Sequence, residues 1–161
     1  MKNKKLSEQG KPKLYKFPEL HKEIQEKVIS SMRTVNVDYF WFNVILQDAE
    51  NIGMILVPFD VDKAMPTCTG RFTKPSAKVA DKILKEHAHS ETYEIARQYK
   101  RGSLSDENFL KRLLEEYANI IKREYATRIT DEAVKRTLME NEDDFTEEGT
   151  LVLPKRSPFR K

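Results

Sequence analysis

The sequence has few of the features that mark secreted, membrane-bound or cofactor-dependent proteins. Its 161 residues contain one cysteine, Cys68, and five glycines. A single cysteine excludes an internal disulfide, as expected in a reducing compartment. No segment approaches the roughly 18 uninterrupted apolar residues of a membrane helix, and residues 1–13 lack the apolar segment of a signal peptide. These absences predict a cytoplasmic protein, and the length suits one compact domain.

Catalytic motifs are also missing. The sequence contains no glycine-rich phosphate loop, nucleophile elbow, CxxC pair or HExxH motif. Cys68 lies between two threonines without an adjacent lysine or histidine, so its thiol is expected to be inert. The sequence therefore favours a non-enzymatic protein and predicts no catalytic residues, no cofactor and no metal.

The charge is distributed unevenly along the chain. Residues 1–16 hold six lysines and one acid, and residues 155–161 hold four basic side chains, so the net charge of +3 leaves −6 for residues 17–154. This pattern predicts a basic flexible arm at 1–13, a single domain at 14–154 and a basic tail at 155–161. A nucleic-acid role would depend on the basic residues at the two ends. These are Lys2, Lys4, Lys5, Lys11, Lys13, Lys155, Arg156, Arg160 and Lys161.

Hydrophobic periodicity and capping residues predict an α+β fold, with a small, mostly antiparallel sheet packed against five or six helices. Apolar residues recur at helical spacing in six segments, and β-branched and aromatic residues mark the strands. Helices are predicted at about 18–33, 38–52, 76–87, 91–99, 105–126 and 130–141. Strands are predicted at 13–17, 54–62 and 67–73, with a hairpin at 144–153.

A run of aromatic residues, "DYFWF", opens the second predicted helix. Trp41 belongs to the apolar stripe expected in the core, whereas Tyr39, Phe40 and Val44 lie away from that stripe and need a cover of their own. That cover is a helix, a sheet or a partner. Residues 38–52 contain no lysine or arginine, which disfavours stacking of nucleic-acid bases. A protein partner is the functional interpretation of these three side chains.

The segment "KEHAHSE" is a candidate metal site because Glu86, His87, His89 and Glu91 are possible ligands. Two histidines two positions apart do not face each other on a helix, so the usual helical zinc site with ligands four residues apart is not available. The alternative interpretation is a solvated helix end, where a histidine near the last carbonyl groups is mildly favourable.

A second polar cluster lies in "FDVDKAMPTC" and the residues after it. Asp60 and Asp62 would lie on one side of the predicted strand, with Cys68 and Arg71 across the turn. Paired carboxylates bind magnesium or perform acid–base chemistry. Together with His87, these aspartates define a third hypothesis, a metal-dependent enzyme of unrecognised type, against the simpler interpretation of a solvated strand end.

Seven segments of the sequence are characteristic when taken together. They are "YKFPEL", Trp41 followed by "DAENIG", "FDVD", "CTGRF", "KEH", "ETY" and "DEAVKRTLMENEDDFTEEGTL". With these segments the chain resembles, over about residues 15–151, a family of small bacteriophage and prophage proteins, many of them labelled as the antitoxin of a toxin–antitoxin stability system. Two departures are Pro18, where "FxEL" usually carries an acidic cap, and the second histidine, His89.

The resemblance implies an α+β fold and a phage or mobile-element origin, and it carries over no catalytic residue. It supports a first hypothesis of an accessory protein that binds a host or phage protein in the host cytoplasm, as an antitoxin-like or anti-defence factor. The second hypothesis is a nucleic-acid-associated or virion-packaged phage protein that uses its basic ends. The metal-dependent enzyme is the third.

Overall fold

The computed structural model of the chain describes residues 12–153. Within them the chain forms six α-helices and five strands, which confirms the predicted α+β class. The elements in order are β1 (Tyr15–Lys16), α1 (Lys22–Ser31), α2 (Asn43–Ile52), β2 (Met54–Phe59), β3 (Thr67–Phe72), α3 (Ser76–Glu86), α4 (Glu91–Lys100), α5 (Asp106–Arg128), α6 (Asp131–Asn141), β4 (Asp144–Phe145) and β5 (Leu151–Val152). The strands form one three-stranded and one two-stranded antiparallel sheet.

The chain divides into two compact units. The terminal unit comprises the described residues 12–38 and 128–153, and the central unit comprises residues 39–127. Each unit has its own buried cluster of apolar side chains. The two clusters mean that each unit excludes water from a core of its own.

The terminal unit packs α1 and α6 with the sheet β1-β4-β5. Tyr15 pairs with Phe145, and Lys16 pairs with Asp144, whose carboxylate lies 2.9 Å from the lysine ammonium. Burial of apolar side chains from all of these elements holds the unit together. The buried members are Phe17, Leu20, Val28, Ile29, Val134, Leu138 and Phe145.

Helix α6 begins and ends where its sequence predicts. The Thr130 hydroxyl accepts a hydrogen bond from the Ala133 amide at 3.1 Å, which satisfies one of the free N–H groups at the start of a helix. The helix ends at Asn141, after which Glu142 adopts a left-handed conformation with φ +54°. Both ends are therefore set by local chemistry.

The predicted start of α1 at Pro18 is wrong. Phe17–Glu19 form a 3-10 turn instead, in which the Lys16 amide donates to the Glu19 carboxylate at 2.7 Å. Leu20 then has an extended backbone (φ −72°, ψ 150°), so the α-helix begins only at Lys22. The extended backbone at Leu20 directs its side chain into the core. This packing interaction cannot be predicted from hydrophobic periodicity alone.

The central unit places the β2-β3 hairpin among four helices that include the 23-residue α5. The strands pair from Met54↔Phe72 to Phe59↔Thr67. Helix α5 begins at Ser105, whose hydroxyl accepts a hydrogen bond from the Asn108 amide at 3.1 Å, as predicted. The buried core is Ala49, Ile52, Met54, Leu56, Val79, Ala80, Ile83, Ile95, Ala96, Phe109, Leu113 and Tyr117.

Two predicted boundaries in this unit are wrong. Helix α2 starts at Asn43 rather than after Asp38, because residues 39–42 form a non-helical aromatic segment whose rings pack on one another. Strand β2 ends at Phe59 rather than residue 62, because Asp60 takes a left-handed backbone with φ +56° that ends pairing. The predicted helix stop at Gly53 is confirmed by its φ of +103°.

Gly70 offers a test of the hairpin's packing. A Cβ atom there would collide with the backbone carbonyl oxygen of Ile55 on the paired strand and approach Leu114 of α5 at 3.2 Å. We expect Gly70→Ala to lower the free energy of unfolding of the central unit by about 3 kcal/mol or more, since a backbone contact cannot relax as a side chain does. Urea unfolding followed by the fluorescence of Trp41, the single tryptophan, measures this unit.

Gly102→Ala is the control for this test. Gly102 has φ +85°, but no atom lies within 4 Å of the added Cβ, so the change carries only the cost of left-handed backbone, about 1 kcal/mol. Equal losses in the two variants would contradict the packing argument.

Candidate functional site

Three apolar side chains are exposed at the start of the central unit. Tyr39 is 60%, Phe40 55% and Val44 72% exposed, whereas Trp41 between them is buried. We call Tyr39, Phe40 and Val44 the aromatic surface. As predicted, Trp41 belongs to the core and the other three side chains lie away from it, although only Val44 is part of helix α2.

The aromatic surface has a rigid base. The Phe40 and Phe42 rings meet edge to face with centroids 4.6 Å apart, and Trp41 packs against Phe42 at 5.4 Å and against Tyr125 of α5 at 6.0 Å. Such pairs add about 0.5 to 1.5 kcal/mol beyond the area that they bury. Phe40 is therefore held against a chain of rings that ends in the core.

A polar network lies in the same unit and centres on His87, directly after α3. The imidazole Nε2 is 3.1 Å from Asp48 Oδ1 on α2, and Nδ1 is 2.8 Å from Thr92 Oγ1 on α4. The second carboxylate oxygen of Asp48 accepts a hydrogen bond from the Tyr117 hydroxyl at 2.7 Å. Four helices thus meet around one carboxylate and one imidazole.

The network extends to Ser90. Ser90 Oγ donates to the His87 carbonyl oxygen at 2.6 Å and lies 2.8 Å from Thr92 Oγ1. The two nitrogens of the His87 ring are therefore both engaged, Nδ1 by Thr92 and Nε2 by the Asp48 carboxylate.

The pKa values of the two acids follow from the same contacts. Burial opposes ionisation of Asp48, but hydrogen bonds from His87 and Tyr117 and the charge of His87 together outweigh it and hold the pKa of Asp48 below its ordinary value. Burial, the charge of Asp48 and the hydrogen bond to it raise the pKa of Tyr117. Asp48 is thus ionised and Tyr117 neutral at pH 7.

A hydroxyl, an imidazole and a carboxylate in a row are also the parts of a nucleophilic triad. Here the Thr92 hydroxyl is buried, with its residue only 3% exposed, and its oxygen is in contact with both His87 Nδ1 and Ser90 Oγ at 2.8 Å. A substrate cannot reach such an oxygen without unfolding the start of α4. The geometry therefore assigns this network to joining the helices.

The candidate metal-binding segment "KEHAHSE" does not bring its residues together. Glu86 forms an ion pair with Lys82 at 3.0 Å and accepts from Asn51 at 2.6 Å, while His87 turns to Asp48 and Thr92. His89 adopts a left-handed backbone with φ +67°. Within residues 12–153 no three histidine, cysteine, aspartate or glutamate side chains form a cluster able to hold a metal ion.

The second polar cluster is also dispersed. Asp60 and Asp62 follow the end of β2, Cys68 points to the half-buried inner side of β3, and Arg71 lies on the exposed outer side. Burial raises the pKa of Cys68 to about 11, so the thiol stays protonated. Cys68 lines a groove of about 660 Å³ with apolar side chains of α5, away from both aspartates.

The basic residues proposed for nucleic-acid binding lie almost entirely outside the described residues. Only Lys13 falls within them, and its ammonium group lies 5.2 Å from the centre of the Tyr15 ring. The others are Lys2, Lys4, Lys5, Lys11, Lys155, Arg156, Arg160 and Lys161.

Two features of the central unit were missed at the level of sequence. The pairing of Asp48 with His87 and Tyr117 joins residues 39 and 69 positions apart and has no local signal. The outer side of β2 carries Ile55, Val57 and Phe59, all exposed. The sequence of this strand, "MILVPF", does indicate an apolar outer side, because the residues that point to each of its two sides are apolar.

The comparisons with known proteins give no relative for this chain: no family model, no curated protein and no solved structure matches it. In the part of the chain that the structure describes, none of the helices combines the length and apolarity needed to cross a lipid bilayer.

Replacement of Asp48 tests the network. Asp48→Asn should lower the free energy of unfolding at pH 7 by about 1 kcal/mol, a modest value because the carboxylate is partly solvated. A lowered native pKa gives stability that is complete above the ordinary aspartate value of about 3.9 and lost as the pH falls through the native pKa. The difference in unfolding free energy between the wild type and Asp48→Asn should therefore become smaller below about pH 4, as measured by urea titrations that follow Trp41 fluorescence.

Asp106→Asn is the matched control. Asp106 also accepts a hydrogen bond from a tyrosine, Tyr99, at 2.6 Å, but it is exposed. Its replacement should cost less than Asp48→Asn at pH 7. If Asp48→Asn lowered the free energy of unfolding by the same amount from pH 7 to pH 3, the stabilising role of the ionised Asp48 carboxylate would be contradicted.

Proposed function

We propose that this chain is a non-enzymatic accessory protein that acts by binding another protein through the aromatic surface. The observation that supports this proposal is the exposure of Tyr39, Phe40 and Val44 beside a buried tryptophan. A scattered exposed apolar residue is ordinary, but three within six positions concentrate exposed apolar area in one short segment, which favours an interface with another protein.

The energetics of the aromatic surface suit an interface. Transfer of a large apolar side chain from water into a partner gains about 1.5 to 3 kcal/mol. Tyrosine and phenylalanine lose little conformational entropy on binding because each has two side-chain torsions. The edge-to-face contact of Phe40 with Phe42 restricts the Phe40 ring before binding, which lowers that cost further.

The charges of α2 indicate the chemistry of the partner. The helix carries two charged side chains, Asp48 and Glu50, and both are acids. The Asp48 carboxylate is engaged by His87 and Tyr117, and the exposed Glu50 lies six residues after Val44, about 1.7 turns along α2 and on a different side of the helix. A complementary partner therefore has an apolar pocket for the aromatic surface, and any lysine or arginine that pairs with Glu50 lies outside that pocket.

The resemblance to phage and prophage proteins supports a setting for this activity. In that setting the partner is a host or phage protein, the chain acts in the host cytoplasm, and the outcome is antitoxin-like or anti-defence. The dispersal of the candidate ligands Glu86, His87 and His89 fits a binding role better than a metal-dependent reaction.

Substitution of the aromatic surface tests the proposal. We expect Phe40→Ala and Val44→Asp each to weaken binding of a partner, identified by affinity purification from host cells and then purified, by tenfold or more in a direct titration. Val44→Asp is chosen because the helix dipole favours a carboxylate in the first turn of α2, which offsets the repulsion of a few tenths of a kcal/mol from Asp48 four residues further on.

Met139→Ala is the control, since Met139 is an exposed apolar side chain on α6 in the terminal unit. Its partner affinity should equal that of the wild type. Recovery of nucleic acid in place of a stoichiometric protein, or a partner that binds Phe40→Ala and Val44→Asp normally, would refute the proposal.

A further inference from the structure

The β2-β3 hairpin has an exposed apolar side. Met54 and Leu56 point into the core, whereas Ile55, Val57 and Phe59 on the opposite side are 36% to 49% exposed. Their cross-strand neighbours Arg71, Thr69 and Thr67 lie on the same side. We call these six residues the outer face of the hairpin.

The outer face departs from the normal pattern of a half-exposed antiparallel sheet. Such strands alternate apolar and polar residues, whereas strands apolar on both sides are those covered on both sides. In β2 every residue from Met54 to Phe59 is apolar. Met65, in the connection to β3, adds a further apolar side chain that is 72% exposed. The sequence of β2 is therefore that of a strand with a second cover.

Opposite charges flank the apolar row at its two ends. Arg71 lies opposite Ile55 at one end, and Asp60 and Asp62 directly follow Phe59 at the other. Among the described residues none of these three forms an ion pair. The face is thus positive at one end and apolar in the middle, and the other end carries two carboxylates against the single ammonium of the exposed Lys63.

We propose that two copies of this chain pair through the outer face. A two-fold axis that lies parallel to the sheet, above Val57 and Thr69, and runs across the two strands places the apolar row of one copy against that of the other. The same rotation exchanges the ends, so that Arg71 of each copy faces Asp60 and Asp62 of the other. A single two-fold rotation thus covers the apolar row and gives each of the three unpaired charges a partner.

The balance of charge favours a second copy over a strongly charged partner. Residues 39–127, which form the central unit, hold thirteen acidic and thirteen basic side chains. Two such units have no net repulsion, and the local charges at the ends of the hairpin attract. Facing sheets pack about 10 Å apart with interdigitated side chains, which suits the β-branched and aromatic residues of β2.

The size of the outer face predicts a weak dimer. A six-residue strand is about 20 Å long, and two strands give a face about 10 Å wide. The area of this face is well below the roughly 800 Å² per partner of a standard interface. The dimer should therefore form at concentrations on the order of 10 to 100 μM and exchange rapidly.

Sedimentation of the full chain over about 5 to 500 μM at low salt tests the proposal. The wild type should shift from monomer to dimer, and Val57→Lys, which places two ammonium groups together at the axis, should weaken dimerisation at least tenfold. Val44→Asp should dimerise like the wild type, because it lies on the aromatic surface. Conversely, Val57→Lys should keep its affinity for a protein partner, so the two surfaces are tested separately.

Charge exchange gives an independent test. Arg71→Asp and Asp62→Arg should each weaken the dimer, and the double variant should recover it, because the pairs re-form with opposite sign across the axis. Asp60 is left unchanged in this test because its left-handed backbone makes substitution costly. A wild type that stays monomeric at the highest concentration, or a dimer unaffected by Val57→Lys as expected for pairing of strand edges, would overturn the proposal.

Discussion

The arrangement of the central unit depends on the carboxylate of Asp48, which is held between an imidazole and a phenol. It links α2 to the end of α3 and to α5, while His87 carries the link on to α4 through Thr92. The carboxylate is partly solvated, but each of its oxygens has a partner on another element of the unit, so these contacts restrict the rotation of α2 about its axis. Val44 precedes Asp48 by four residues and shares its side of the helix. The network that anchors α2 therefore also sets the direction in which the exposed Val44 is presented.

The sequence predicts those elements whose ends are decided by local chemistry. Thr130 and Ser105 cap their helices through their own hydroxyl groups, and Gly53 ends α2 because only a left-handed residue fits there. The prediction fails where tertiary packing overrides a good local signal. Asp38 is an acceptable N-cap, but the rings of residues 39–42 gain more from packing on one another and on Tyr125 than from a helical turn.

The surfaces and the polar network differ in how far a sequence can reveal them. Tyr39, Phe40 and Val44 depart from the apolar stripe predicted to contain Trp41, which indicates that they need a cover of their own. That they are exposed, and not covered by a helix or a sheet, is visible only in the structure. The contact between Asp48 and Tyr117 depends on the chain returning 69 residues later, which no local pattern encodes. For the same reason the histidine that suggests a metal ligand in "KEHAHSE" is in fact a partner of a distant aspartate.

The two exposed surfaces belong to one unit and are joined by a short rigid link. Helix α2 carries Val44, and Gly53 connects it directly to β2, which carries Ile55, Val57 and Phe59. Thr73 donates a backbone hydrogen bond to the Gly53 carbonyl at 2.7 Å, which ties the far end of β3 to the same corner. A dimer through the outer face would hold two aromatic surfaces in a fixed relation. Even a weak self-association would then raise the affinity for a partner with two binding sites, because the second contact becomes intramolecular.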